Sequence, residues 1–213
     1  MSAPSRDLPA FLEDRQRSIV ALPVTKEVAE SGRLHVPGEA GLWVFLIGDM
    51  TLFGLFFVGF VAQMSHQREV WVTSAARLHQ GLGTVNTVVL LVSSYLVSRA
   101  IASWNARVFN RTRTLLICAA ALGTFFGLTK VVEYVLLVRE GISPTTNLFF
   151  TYYFVLTGIH LLHVVIGVSI LLVCARRVQA KTTRSVEGSA SYWHMVDILW
   201  VVLFPLLYFV GTV

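Results

Sequence analysis

Cysteine is nearly absent from this chain, and charge is scarce. Two cysteines among 213 residues cannot build a disulfide framework. Cys118 and Cys174 both fall near the ends of apolar runs and are expected to act as small apolar fillers. Only 14% of residues are charged, while 55% are hydrophobic and the mean hydropathy is +0.68. A soluble domain of this length would need far more charge on its surface, so the composition indicates a membrane protein. The sequence contains no CxxC, CxxCH, GxGxxG, P-loop or HExxH motif, and no repeat of about 20 to 50 residues. The first 40 residues are polar and mixed in charge, with no apolar segment ahead of a small-residue cleavage site, so they read as a solvated tail.

What is abundant is long apolar runs. A membrane span requires roughly 20 mostly apolar residues. Five windows qualify: Gly41 to Met64, Gly83 to Ser103, Thr114 to Val138, Thr146 to Cys174, and His194 to Val213. The expected fold is all-α, a polytopic membrane domain of five transmembrane helices over residues 41–213 behind a cytoplasmic polar tail at 1–40. Basic residues alternate in density between the connecting segments. Arg6, Arg15, Arg17, Lys26 and Arg33 lie in the tail. Arg99, Arg107, Arg111 and Arg113 lie around the loop after the second span, and Arg176, Arg177, Lys181 and Arg184 around the loop after the fourth. The other two loops hold only Arg68, Arg77 and Arg139. This positive-inside pattern puts the N-terminus in the cytoplasm. It also accounts for the net charge of +5, so no nucleic-acid partner is called for.

Several polar residues interrupt the spans, and each needs a reason to be there. Asp49 lies among Gly48, Gly54 and Gly59 in the first span, where small residues favour close helix contact. It is expected either to be neutral and bonded to another helix or to exchange protons. Lys130 and Glu133 are three apart in the third span, close enough to pair on one helical face near the outer surface. Tyr134 and Arg139 suit the interface just beyond. His160 and His163 share a face in the fourth span. They read either as haem or metal ligands or as neutral imidazoles bonded across helices. By helical rise, His163 lies deep while His194 opens the last span at the surface, so the two are not expected to share an iron. Asp49 and His163 fall at nearly one level and could satisfy each other if their spans touch. In "YWHMVDILW", Tyr192, Trp193 and His194 read as an interfacial belt, with Asp197 one turn inside. That cluster is expected to anchor the helix and hold lipid or a partner. Pro205 should kink the last span.

Taken together, these segments resemble subunit III of the haem–copper oxidases. "GLWVFLIGDMTLFGLFF" is similar to a conserved helix of that family, with Asp49 at the position of its carbodiimide-reactive carboxyl. "KVVEYVLL" matches the family's Glu-Tyr helix through Glu133 and Tyr134. "TGIHLLHVVIG" matches its TGxHxxHVxxG pattern through Thr157, Gly158, His160, His163, Val164 and Gly167. The closing "YWHMVDILWVVLFPLLY" matches through Trp193, His194, Asp197, Trp200 and Tyr208. The resemblance runs from about Val36 to Val213 and corresponds to a short form lacking two spans. It implies an accessory, non-catalytic subunit of a bacterial respiratory oxidase in the plasma membrane. Such a subunit has no catalytic residue, metal or cofactor of its own, binds phospholipid, packs on catalytic subunit I, and supports assembly and proton uptake. On this reading Asp49, Glu133, His160 and His163 are proton-tuning or lipid-cleft residues. "HVPGEAGLWVF" is also similar to the variant associated with nitric oxide reductase, which is the alternative partner. Two other classes remain open, a b-type cytochrome carrier using His160, His163 and His194, and a small transporter using Asp49 and Glu133.

Overall fold

The computed structural model describes residues 40–178 and 183–210. The polar tail expected at 1–40 lies, but for Ala40, outside them. Among the described residues the chain is entirely helical: α1 (Ala40–His66), α2 (Arg68–Ala75), α3 (Gln80–Asn105), α4 (Phe109–Arg139), α5 (Leu148–Arg177) and α6 (Thr183–Tyr208). Five of these are long and apolar enough to cross a membrane, as expected, and they make this a multi-pass membrane protein. Helices α3, α4, α5 and α6 pack in a ring, each against its neighbours, and α1 lies outside that bundle against α5 and α6.

Local chemistry sets the helix ends. Asn147 begins α5 by accepting a hydrogen bond from the Phe150 amide at 3.0 Å, and its Nδ2 donates to Ser74 at 2.9 Å. One residue thus caps a helix and fastens α2 to it. Gly141 ends α4 at φ 78°, a conformation that glycine adopts without steric cost. The turn from α3 to α4 is tight enough that Arg107 takes φ 59°.

The short helix α2 was not foreseen from composition. It exists because Trp71, 1% exposed, inserts beneath the end of α1. Its ring meets Phe60 edge-on at 4.4 Å and Phe149 at 5.5 Å. Phe60 is the last of three buried α1 residues, Leu46, Phe53 and Phe60, spaced by sevens. This narrow seam is what α1 turns toward the bundle, and most of its remaining surface is exposed apolar side chain.

Three expectations about packing need correction. The glycines of α1 are not the tight contacts: a Cβ at Gly48 or Gly54 would meet nothing within 4 Å, and at Gly59 only the Tyr152 hydroxyl, at 3.2 Å. Tight contacts occur instead at Gly123 and Gly167, where a Cβ would stand 2.4 and 2.8 Å from the Trp193 ring. Trp193 is therefore no interfacial residue but a wedge between α4 and α5, and Tyr192 is buried beside it. The last span also starts earlier than expected, at Val186 rather than His194. The segment "VEGSASYW" has little hydropathy, but its small residues let it lie inside the bundle. Of the two cysteines, Cys174 is buried as a filler should be, whereas Cys118 is exposed on the outer face.

The wedge leads to a specific expectation. Gly123→Ala should destabilise the chain by about 1–3 kcal/mol, because the added methyl overlaps a ring with no room to move. Gly54→Ala should leave stability unchanged or slightly higher, since alanine favours a helix interior by about 1 kcal/mol. Thermal unfolding of both variants in detergent checks the contrast.

Candidate functional site: the polar residues of the bundle

The seam of α1 brings Asp49 to α5. Its Oδ1 lies 3.1 Å from Nε2 of His163, with both side chains about nine-tenths buried. His163 Nδ1 lies 2.8 Å from the Ile159 carbonyl. A carbonyl only accepts, so Nδ1 carries a hydrogen and donates. The other nitrogen then shares one proton with the carboxyl, either as imidazolium facing carboxylate or as imidazole accepting from a neutral acid. Both forms are neutral overall, which is what an apolar setting tolerates. Phe53 packs edge-on against the His163 ring at 5.8 Å. Sequence depth alone pointed to this pairing of Asp49 with His163.

A second cluster lies within the ring of four helices. Lys130 and Glu133 are both fully buried, and Lys130 Nζ donates to Glu133 Oε2 at 2.8 Å. The same ammonium donates to the hydroxyls of Tyr153 at 3.1 Å and Tyr208 at 3.0 Å. Tyr208 in turn donates to Glu133 Oε1 at 2.6 Å. Both carboxylate oxygens and all three ammonium hydrogens thus have partners. Lys130 Nζ also stands 4.9 Å from the centre of the Tyr153 ring and 5.1 Å from that of Trp200, near enough for cation–π attraction. The expectation of a pair near the outer surface is therefore too modest. Pairing within α4 does hold, but α5 and α6 supply its other partners. Tyr134, half-buried near the same end of α4, shares a 2.6 Å hydrogen bond with Thr157 on α5.

His160 and His163 face different neighbours despite their spacing. His160 is fully buried, with Phe126 at 5.6 Å and Trp200 at 5.2 Å from its ring. Neither of its nitrogens has a hydrogen-bond partner, so the expected bond across helices is absent at this histidine. His194 lies at its site for another reason. Because α6 starts early, His194 falls about 12 Å inside the span by helical rise, not at its surface end. The depth argument separating it from His163 therefore fails. Direction separates them instead: His163 points to α1, whereas His194 Nδ1 lies 2.7 Å from Ser94 on α3, with Ser98 at 3.4 Å from Nε2. Asp197 is 5% exposed and its Oδ1 has no partner. Among the described residues, no three histidine, cysteine or acidic side chains gather at one point.

Reading the sequence missed Tyr153 and Ser94. Tyr153 was within reach, since it lies two turns before His160 on the buried stripe of α5. Ser94 carries no signal in a run of apolar and small residues.

The chain is similar to known proteins over most of its length. The sequence pattern of the family described as cytochrome c oxidase subunit III matches residues 33–212. A cytochrome c oxidase subunit 3 of Thermostichus vulcanus is 31% identical over 174 residues, covering 79% of this chain and 85% of that one. A quinol oxidase subunit 3 of Bacillus spizizenii is 29% identical over 188 residues, covering 86% and 90%. A probable cytochrome c oxidase subunit 3 of Nocardia farcinica is 30% identical over 179 residues, covering 81% and 87%.

The buried ion pair can be tested by removing its parts. Lys130→Met leaves Glu133 as an uncompensated buried charge and should cost about 3–5 kcal/mol. Adding Glu133→Leu should recover part of that loss, although Tyr208 then lacks its acceptor. Denaturation in detergent compares the single and double variants. A double variant whose loss equals the sum of the losses from Lys130→Met and from Glu133→Leu alone would show that the two side chains are not energetically coupled.

Proposed function

The chain belongs to the cytochrome c oxidase subunit III family, and from that premise we propose how it serves a bacterial respiratory haem–copper oxidase. It is the accessory subunit of such a complex, without redox chemistry or a cofactor of its own. It sits in the plasma membrane with its N-terminus inside, binds phospholipid, and packs on the catalytic subunit I. The observation that carries this reading is that Asp49, His163, Lys130 and Glu133 all find partners within the chain. Ionisable groups at membrane depth mark function by default. Here the function they serve is to hold α1 on α5 and to lock α4, α5 and α6 together.

The partner face is best placed on α3 and α6. Ser98 is exposed and Ser94 and His194 are half-buried, at a depth where lipid tails offer no hydrogen bonds. With Asp197 holding one unpartnered oxygen beneath them, these groups suit a protein surface better than hydrocarbon. Relatives named as cytochrome c oxidase and as quinol oxidase subunits favour oxygen as the acceptor over nitric oxide, and they support either donor. Asp49 is assigned a structural and proton-tuning part, because its Oδ1 is paired with His163 Nε2 and both side chains are about nine-tenths buried.

Purification of a tagged chain from native membranes should bring down a haem-containing complex that consumes oxygen. A complex that consumes only nitric oxide would move the assignment to the nitric oxide reductase partner, and recovery without haem would end it. His194→Ala with Asp197→Ala should reduce retention of the subunit while leaving the haem spectrum unchanged. Asp49→Asn keeps size and most hydrogen bonding, so the assembled complex should retain most of its initial turnover and lose durability or proton-uptake rate at high pH. Complete loss of turnover in a fully assembled complex would make Asp49 obligatory and overturn its assignment.

A further inference from the structure

Trp193 and Asp197 stand one turn apart on α6, and both are buried. The indole Nε1 of Trp193 has no hydrogen-bond partner, and neither has Oδ1 of Asp197. The first of these atoms only donates, and a carboxyl oxygen accepts. Buried polar groups are nearly always paired, and a buried indole N–H usually finds a partner. A donor and an acceptor left open one turn apart therefore point to something held between them.

The indole is not free to turn toward another group. A Cβ at Gly123 would overlap Cη2 and Cζ2 of its ring, and a Cβ at Gly167 would overlap Cε3 and Cζ3. Helices α4 and α5 thus grip the six-membered half of the ring and fix its direction. Nε1 lies on the edge of the indole opposite Cε3, so with Cε3 against α5 the N–H is turned toward the α3 side of the bundle. That is the side where the Asp197 carboxyl lies beside Ser94. The hydroxyls there are already engaged: Ser93 donates to the Ala119 carbonyl at 3.0 Å, and Ser94 Oγ is 2.7 Å from Nδ1 of His194. The carbonyls within the helices accept from their own amides.

The pairing of the two open atoms selects the ligand. A cation would suit the carboxyl but would face the positive end of the indole N–H. An anion would suit the indole but would face the carboxyl. An apolar group would satisfy neither. Water accepts from one and donates to the other, and Ser94 Oγ beside them offers the further polar neighbour that buried waters ordinarily have.

We infer that the bundle holds one ordered water between Trp193 and Asp197, accepting from Nε1–H and donating to Oδ1. A bridging water serves nearly as well as a direct hydrogen bond. This one ties the wedge between α4 and α5 to the carboxyl that backs Ser94, Ser98 and His194. The inference rests on the packing of this chain and is independent of which complex the chain joins.

The test is a cryo-electron-microscopy structure of the intact complex, at a resolution where buried waters elsewhere in it are seen. A density peak is expected within about 3 Å of both Nε1 and Oδ1. It should be lost in Trp193→Phe, which keeps an aromatic wedge without the N–H, and in Asp197→Leu, which removes the acceptor. If either variant fails to assemble, the map of the unaltered complex decides alone. Waters at other buried sites but none at this one would overturn the inference, as would a direct hydrogen bond from the indole to any protein group. A peak undiminished in either variant overturns it as well. So does a peak bonded to Oδ1 alone that strengthens when thallium ions are added, which would mark a monovalent cation.

Discussion

A buried ammonium in a membrane has no water to turn to, and the arrangement of this chain follows from how Lys130 is accommodated. Its charge is met by Glu133 on its own helix, and its remaining hydrogens by tyrosines from α5 and α6. Each partner arrives from a different helix, so satisfying one charge fixes the relative rotation of three helices. Replacing the cluster with apolar side chains could yield comparable stability, as is often true of buried ion pairs. What polar partners add is a defined register, since hydrogen bonds demand particular positions where apolar contacts tolerate several.

The attachment of α1 obeys the same constraint on a smaller scale. A seam of Leu46, Phe53 and Phe60 covers little area, and lipid tails compete equally for apolar contact. Asp49 and His163 give α1 a tie that lipid cannot imitate, and the Phe60–Trp71–Phe149 cluster fixes its other end. The outcome is a rigid bundle of four helices with a fifth held at few points. In an accessory subunit of an oxidase such a plan leaves the outward faces of the bundle free for contact with the rest of the complex.

Much of this was legible in the sequence, for reasons that differ by residue. The spans were legible because hydropathy over 20 residues is a strong signal, and the pairing of Asp49 with His163 because helical rise converts position into depth. Lys130 with Glu133 was legible as a local pair, yet its tyrosine partners come from residues remote in sequence. Trp193 was misplaced because an aromatic near a span end ordinarily marks an interface. Here the glycines at 123 and 167, distant in sequence, make an interior slot for it. His194 was misplaced along with it, since a segment rich in serine and alanine hid the true start of α6. Orphaned nitrogens such as those of His160 leave no trace in sequence at all.

The central proposal is that Asp49, His163 and Glu133 serve to hold helices together and that the chain binds no redox centre. The measurement that tests it most directly is the haem and copper content of the chain after its release from the oxidase complex. With His163 turned toward Asp49, His160 packed between Phe126 and Trp200, and His194 directed at Ser94, the released chain is expected to show no Soret band and no stoichiometric copper. Haem or copper remaining with the isolated chain at one equivalent would contradict the account.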